Sequence, residues 1–517
     1  MGRNPQVCYQ NIEQNDPRSR RGLSRRKFLQ FTKVGLVMTT LAPGVLSETV
    51  TSEPRSDSHE LIDASATWLA NAIRTKQVSS EEAVRAFLQR IEQVNPKLNA
   101  VVQLRAEAAL AEARDADQAL GAKQGRGPLH GVPFTVKDSF DTKGLISTAG
   151  TKGRASFVPD ADATAVARLR AAGAILLGKT NTPELTLAFE TNNLVYGRTN
   201  NPYDLERTSG GSSGGAAAIL AASGSPFDLG SDTGGSIRLP AHYCGVAGLK
   251  PTQGRVPRTG HIISFDGPHQ SLTHIGPIAR YVEDLSLLFP ILLGPDGIDP
   301  SVVAMPFGDP NKVDLKKLRT AFFVDNGDVP ATPETRVVVK EAARKIADTG
   351  SIVSEARPEP IGEAYNFYVG ILWADGGAWA RRLLEKTGTH EALLEARLSQ
   401  FKPIPISEYT ALLERWDLFK SQMLRFWQHY DVLICPVNAH PAIPHGTTYQ
   451  GRNLAAYGYT MAFNLTGWPS AVVRCGTSPE GLPIGVQVVA PPWREDVSVA
   501  VAQRLQRELK GWSRAPV

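Results

Sequence analysis

Gly210-Gly211-Ser212-Ser213-Gly214-Gly215-Ala216-Ala217-Ala218-Ile219-Leu220-Ala221-Ala222, with Asp232-Thr233-Gly234-Gly235-Ser236-Ile237-Arg238 following shortly after, is the stretch on which the reading of this chain turns. A Gly-Ser run standing alone reads first as a flexible linker. Here it runs directly into the small apolar residues Ala216 to Ala222, a helix able to pack closely, so its glycines read as the entry to a buried helix. A glycine-rich turn before a helix can also cradle phosphate. This run lacks the Gly-Lys-Ser/Thr ending that a phosphate loop requires.

Each segment carries a serine among glycines, and a serine hydroxyl attacks an amide slowly unless a base takes its proton and donors neutralise the oxyanion. Histidine is the usual base. No Gly-x-Ser-x-Gly elbow followed by an acid and a histidine is evident, and the ten His residues show no recurring local pattern. Lysine can serve if burial lowers its pKa from about 10.4 toward roughly 7 to 8. Upstream, Gly131-Val132-Pro133-Phe134-Thr135-Val136-Lys137-Asp138 reads as a short apolar strand that carries Lys137 inward. Taken alone, Lys137 would be read as a surface lysine, and only the joint pattern argues otherwise. Asp232 and Arg238, of opposite charge on either side of Ser236, read as a structural ion pair bracing the loop.

The Lys137, Ser212 and Ser236 segments together resemble the amidase signature family of serine hydrolases, in order and in spacing: Ser212 stands 75 residues after Lys137 and Ser236 a further 24 on. The resemblance extends to Ile175-Leu176-Leu177-Gly178-Lys179-Thr180-Asn181-Thr182-Pro183-Glu184, Cys244-Gly245-Val246-Ala247-Gly248-Leu249-Lys250-Pro251-Thr252 and Phe463-Asn464-Leu465-Thr466-Gly467-Trp468-Pro469. It runs from about residue 60 to 510 and is weaker over about 300 to 430. It implies a Ser-Ser-Lys triad with Ser236 as the acylated nucleophile, Ser212 as proton relay beside a cis peptide bond, and Lys137 as base. The resemblance also implies an oxyanion hole from the backbone N–H groups of Thr233, Gly234, Gly235 and Ser236, and substrate contacts at Thr186, Leu187 and Ser212. The implied fold is α/β: a single domain over 59–517 with a large mixed β-sheet core surrounded by α-helices.

The residues themselves agree with α/β alternation. Leu61 to Val94 has helical spacing in two stretches, split at Lys76-Gln77-Val78, with Ser79-Ser80-Glu81-Glu82 as a capping signal for the second. Arg105 to Leu120 reads as an alanine-rich helix, and Ala174–Leu177, Leu318–Val324, Asp431–Cys435, Ala471–Val473 and Gly485–Val489 read as strands. Cys244, Cys435 and Cys475 sit in apolar settings and read as buried thiols. Neither HExxH nor a Cys/His cluster at ligand spacing is present, and the implied reaction needs no metal or other cofactor.

Ser24-Arg25-Arg26-Lys27-Phe28-Leu29-Gln30 resembles a twin-arginine export signal, followed by the moderately apolar Phe31 to Leu46. A membrane span needs about twenty apolar residues, and Lys33 and Gly35 interrupt this shorter stretch, so an anchor is the weaker reading. The expected organisation is a signal peptide over 1–47 and a disordered tether over 48–58, with the chain exported to the bacterial periplasm or beyond by the twin-arginine machinery. Residues 1–47 hold eight Lys and Arg against two acids, so the remainder keeps 48 bases and 49 acids. The basic balance of the whole chain is therefore no argument for a nucleic-acid partner.

A small-molecule amide is the expected substrate. Tyr365, Phe367, Tyr368, Trp373, Trp379, Tyr409, Trp416 and Trp427 could line an acyl pocket, yet their helical spacing favours core packing for most of them. Thr186, Leu187 and Phe189 are the other candidates to discriminate substrates. Peptide, aryl, fatty and cyclic amides and carbamates all remain open. Two other readings stand beside the amidase: a glutaminyl-tRNA amidotransferase A-like subunit, and a catalytically silent exported binding protein on the same scaffold.

Overall fold

Short apolar runs bounded by Gly, Pro and Asp alternate with helices over most of the chain, and in the computed structural model these runs pair edge to edge. The structure describes residues 61–265 and 270–517; the twin-arginine segment and the whole of the expected tether lie outside the described residues. Asp57–Val517 forms one compact unit. Its main sheet has eleven strands, numbered along the chain: β1 (Val101–Leu104), β2 (Pro133–Lys137), β3 (Ile175–Thr180), β4 (Phe227–Asp232), β5 (Ala247–Lys250), β6 (His274–Ala279), β7 (Arg319–Phe322), β8 (Ile352–Glu355), β9 (Val432–Pro436), β10 (Ser470–Thr477) and β11 (Pro483–Val489). They lie in the order β1-β3-β2-β4-β6-β5-β10-β11-β9-β7-β8.

The sheet is mixed. β3, β2 and β4 run parallel to one another, as do β9, β7 and β8, while the other neighbours are antiparallel. Every residue of β2, β3, β4, β5, β6, β9 and β11 is buried, the mark of strands covered on both faces. Each strand expected from the sequence is present, and β1, β4, β5, β6 and β8 are additional. The expected helices are present as Ala66–Arg74, Ser80–Leu98 and Ala106–Gly121. Ser79 and Glu82 close a full capping box on the second: Glu82 N–H donates to Ser79 Oγ (3.1 Å) and Ser79 N–H to Glu82 Oε2 (2.8 Å). Cys244, Cys435 and Cys475 are buried free thiols.

Two features place the site. First, β2 and β4 are adjacent and parallel, with Val136 in register with Leu229, so Lys137 and Ser231–Asp232 end side by side at one edge of the sheet. The carboxyl edge of parallel strands is where open α/β sheets hold ligands. Second, a separate apolar cluster packs outside the sheet core. It joins the helices Ala364–Leu372, Ala378–Lys386, Ile406–Arg425 and Gly458–Leu465 and includes Phe367, Trp379, Trp416 and Phe419. Most of the mid-chain aromatics are thus core, as their spacing suggests.

The glycine-rich run enters the helix Gly214–Ala221, all of whose residues are buried. A Cβ on Gly215 would lie 2.4 Å from Asn181 N and 2.7 Å from Ala100 O, both backbone atoms. Alanine favours a helix over glycine by about 1 kcal/mol, but overpacking against fixed backbone costs about 1–3 kcal/mol. Gly215→Ala should therefore lower the urea midpoint of unfolding, and a raised midpoint would show that propensity outweighs the contact.

Candidate active site

Lys137 is the last residue of β2, a strand buried along its whole length, and it is completely inaccessible. Its Nζ donates to Ser212 Oγ (2.6 Å) and to Ser231 Oγ (2.9 Å). Burial pushes the amine's pKa well below the ordinary lysine value, against the opposing charges of Asp232 and Asp228. Of the two, Asp228 opposes less. Its carboxyl is itself pushed up to about 7 by burial, although Thr135 Oγ1 (2.6 Å) and Thr180 Oγ1 (3.0 Å) donate to it. Lys137 is thus a buried amine whose closest polar contacts are neutral hydroxyls.

The loop that presents Ser212 is clamped through its backbone. Gly210 takes φ +82° and its carbonyl accepts from Thr191 Oγ1 (2.9 Å), while the same hydroxyl accepts from Gly214 N–H (3.1 Å). The Gly211–Ser212 peptide is cis. A Cβ on Gly211 would sit 2.7 Å from the carbonyl carbon of Phe189, which is why side-chain-free residues stand there. Ser213 N–H donates to the Ser236 carbonyl (3.2 Å), so the two serine segments touch directly. Among the described residues the Ser212 and Ser236 hydroxyls are not hydrogen-bonded to each other.

Asp232 organises the loop around Ser236. Its carboxylate accepts from the N–H groups of Gly235 (2.9 Å) and Ile237 (3.1 Å), from Arg238 Nε and Nη2 (both 3.0 Å) and from Asn464 Nδ2 (2.8 Å). Burial raises this carboxyl, but the Arg238 guanidinium, Lys250 and the Asn464 amide together outweigh it and hold the group well below the usual carboxylate range. Asp232 and Arg238 are both fully buried, so the expected bracing ion pair is present. Thr460 Oγ1 ties down the far side by donating to the Gly234 carbonyl (2.7 Å). A Cβ on Gly235 (φ +136°) would meet that hydroxyl at 2.4 Å.

Ser236, Thr233 and Gly234 open on a cavity of about 210 Å³. Thr186 and Leu187 line it as well; Ser212, Lys137 and Gly235 do not. Leu185 and Thr186 both adopt left-handed backbone (φ 50° and 62°), sparsely populated for such residues and frequent at functional sites. The Thr186 hydroxyl is buried with no hydrogen-bond partner among the described residues. Phe189, Tyr365, Tyr368, Trp373 and Phe401 give the cavity an aromatic wall.

Residues 82–498 match the family model described as "Amidase". The chain belongs to the amidase family. It is 35% identical to fatty-acid amide hydrolase 2-B of Danio rerio over 88% of this chain and 91% of that protein. To a glutamyl-tRNA(Gln) amidotransferase subunit of Moorella thermoacetica it is 34% identical, over 88% of this chain and 99% of that one. Its fold is similar to that of a 6-aminohexanoate cyclic dimer hydrolase solved with its substrate, with a TM-score of 0.79 at 30% identity, covering 89% of this chain and 99% of the other.

Several groups of this amidase-family site escape sequence reading. Ser231, the second hydroxyl on Lys137, is hidden in a Gly-Ser-Asp run that scores poorly as a strand. Asn464 and Thr460, which fasten the Ser236 loop, come from the helix Gly458–Leu465, more than 220 residues downstream. Arg397, Leu454 and Met461 of the cavity wall carry no local signal. The Asp232–Arg238 pair yields a direct test. Removing one partner of a buried pair costs about 3–5 kcal/mol, because the other charge is left uncompensated. Asp232→Asn should therefore lower the unfolding midpoint strongly, and adding Arg238→Met should recover part of the loss. A double variant no more stable than the single one would show that the pair's charges are not what matters.

Proposed function

We propose that this chain is an exported amidase that hydrolyses a small-molecule amide through an acyl-enzyme on Ser236. The observation that carries the reading is Lys137, a fully buried amine 2.6 Å from Ser212 Oγ, on a segment whose next residue is hydrogen-bonded to Ser236. In the proposed reaction the neutral Lys137 amine takes the Ser212 proton while Ser212 Oγ takes that of Ser236. Ser236 Oγ then bonds to the substrate carbonyl carbon. The relay requires the two serine hydroxyls to come into contact, and such bonds commonly tighten only with substrate bound. Gly235 N–H is engaged by Asp232, so the proposed oxyanion donors are the N–H groups of Thr233, Gly234 and Ser236. Each such donor contributes about 2.7–4 kcal/mol to the transition state. The C–N bond breaks as the proton passes back through Ser212 to the leaving amine. Water then attacks the ester by the same route, releasing the acid and restoring Ser236.

The 34% identity to an amidotransferase subunit supports a second reading, in which the chain works only with partner chains. Hydrolysis of a simple amide by the isolated chain excludes it. A fluorophosphonate should add to Ser236, and Ser236→Ala should abolish both labelling and turnover; normal turnover by that variant would sink the proposal. Lys137→Ala should lower kcat by roughly 10²- to 10⁴-fold. Only the neutral amine accepts a proton, so the rate should rise with pH through the pKa of Lys137. Burial moves that ascending limb well below the ordinary lysine value.

The twin-arginine segment supports export of this amidase, and no nucleic-acid partner is proposed. Residues 1–58 fused to a reporter enzyme should carry it across the bacterial inner membrane. Arg25→Lys with Arg26→Lys should hold it in the cytoplasm, and retention of the unaltered fusion would overturn the localisation.

A further inference from the structure

The cavity in front of Ser236 is apolar apart from a few polar groups, and among its lining residues Arg397 alone carries a charge. Arg397 lies in the short helix Glu395–Leu398 and is half-buried. Its Nη1 donates to the Leu187 carbonyl (2.8 Å) and to Tyr449 Oη (3.0 Å). The guanidinium carbon stands 5.3 Å from the Trp373 ring centre and 5.1 Å from that of Tyr449, so two aromatic faces hold the plane.

These contacts fix the guanidinium but leave its charge unanswered. Among the described residues Arg397 has no ion pair, and its Nε and Nη2 donate to no protein acceptor. Glu190, whose charge reaches Tyr449, already accepts from the backbone N–H groups of Gly446 (2.9 Å) and Thr448 (3.2 Å). Among the described residues no acidic side chain lines the cavity. Neighbouring arginines differ: Arg381 meets Glu395 (3.0 Å) and Arg382 meets Asp375 (3.7 Å). A cation held in place at an apolar wall, with the free edge of its donor fork unused, is the arrangement that binds a carboxylate in two-point fashion.

We infer that Arg397 is an anion subsite of this cavity and that the substrate is an amide carrying a carboxylate on the arm that occupies it. The inference rests on Ser236 being the nucleophile of an amide hydrolase and adds the class of amide. The apolar wall of Leu187, Phe189, Leu372 and Trp373 would hold the carbon chain between the scissile bond and the acid. Binding energy at Arg397, remote from the reacting carbonyl, would then serve to orient that carbonyl at Ser236.

Two pairs of amides test this with the purified chain. Glutaryl-4-nitroanilide against 5-oxohexanoyl-4-nitroanilide places the acid on the acyl side; N-hexanoyl-4-aminobenzoate against N-hexanoyl-4-aminoacetophenone places it on the amine side. Each neutral member replaces the carboxylate by a methyl ketone of similar shape. The expected result is a preference of about tenfold or more in kcat/KM for the acid in one series, the size of a lost charge-assisted bond. Arg397→Gln should bring that ratio close to one, and Arg397→Lys, which keeps the charge without the fork, should leave an intermediate ratio. A ratio of one or below in both series, or a preference that survives Arg397→Gln, overturns the subsite while leaving Ser236 chemistry standing. Failure to cleave any of the four overturns the inference too, and fluorophosphonate labelling of Ser236 then tells whether the hydrolase reading falls with it.

Discussion

Everything at this site depends on keeping Lys137 out of water. An ammonium in a protein interior costs several kcal/mol unless it is paired, so an unpaired buried lysine gives up its proton instead. The fold withholds the pairing. Asp228, the acid on the neighbouring strand, is driven toward its neutral form by the same burial. Asp232 remains charged, but Arg238 takes it through two 3.0 Å bonds. The ion pair therefore acts twice: it latches the Ser236 loop, and it keeps the one persistent anion nearby from becoming the partner of Lys137. The amine is left with Ser212 and Ser231 hydroxyls, groups that can exchange a proton with it without fixing its charge.

That arrangement requires close approach of three chain segments, which is what the glycines supply. β2 and β4 bring Lys137 and Asp232 to the same sheet edge, but the Ser212 loop must fit between them and the buried helix Gly214–Ala221. At Gly211 and Gly215 the nearest atoms to an added Cβ are backbone atoms that cannot rotate away. At Gly235 the obstacle is the Thr460 hydroxyl that ties the Gly234 carbonyl, so a side chain there would break the fastening as well as crowd it. The glycine pattern in the sequence is thus a record of backbone-to-backbone packing, which is why it is more informative than a linker of the same composition.

Legibility followed from the same physics. Strands built mostly of apolar residues, such as β3, β9 and β11, announce themselves by composition. β4 does not: Phe227-Asp228-Leu229-Gly230-Ser231-Asp232 buries two acids and a serine because they surround the lysine, and functional demand overrides strand-forming preference there. β8 at the sheet edge is partly exposed and polar, and β5 and β6 contain glycine or proline. Of the groups implied for the site, Lys137 and Ser212 are joined by a hydrogen bond, and Ser236, Thr233, Gly234, Thr186 and Leu187 share one cavity. Ser212, named also as a substrate contact, is not among the residues that line that cavity. Contacts made across long loops stay silent in sequence: Asn464 lies 232 residues from Asp232, and Arg397 sits in a four-residue helix with no pattern of its own.

The charge changes of the proposed reaction explain why a neutral lysine suits this site better than a charged one. Before attack, Lys137 and Ser236 are neutral, and the Asp232–Arg238 pair is self-compensated. As the Ser236 proton reaches Lys137 and the carbonyl oxygen gains charge, a cation appears beside Asp228 and Asp232 while an anion appears among backbone N–H dipoles. The new anion meets backbone N–H donors already in place, and the new cation meets the charges of Asp232 and Asp228, which favour the protonated amine against the cost of burial. Interactions that exist only in the transition state accelerate the chemical step, whereas a permanently charged lysine would be stabilised equally in the ground state. In the proposed reaction, the desolvation that would let the amine act as a base is therefore also what would make its protonation, at the right moment, count toward catalysis.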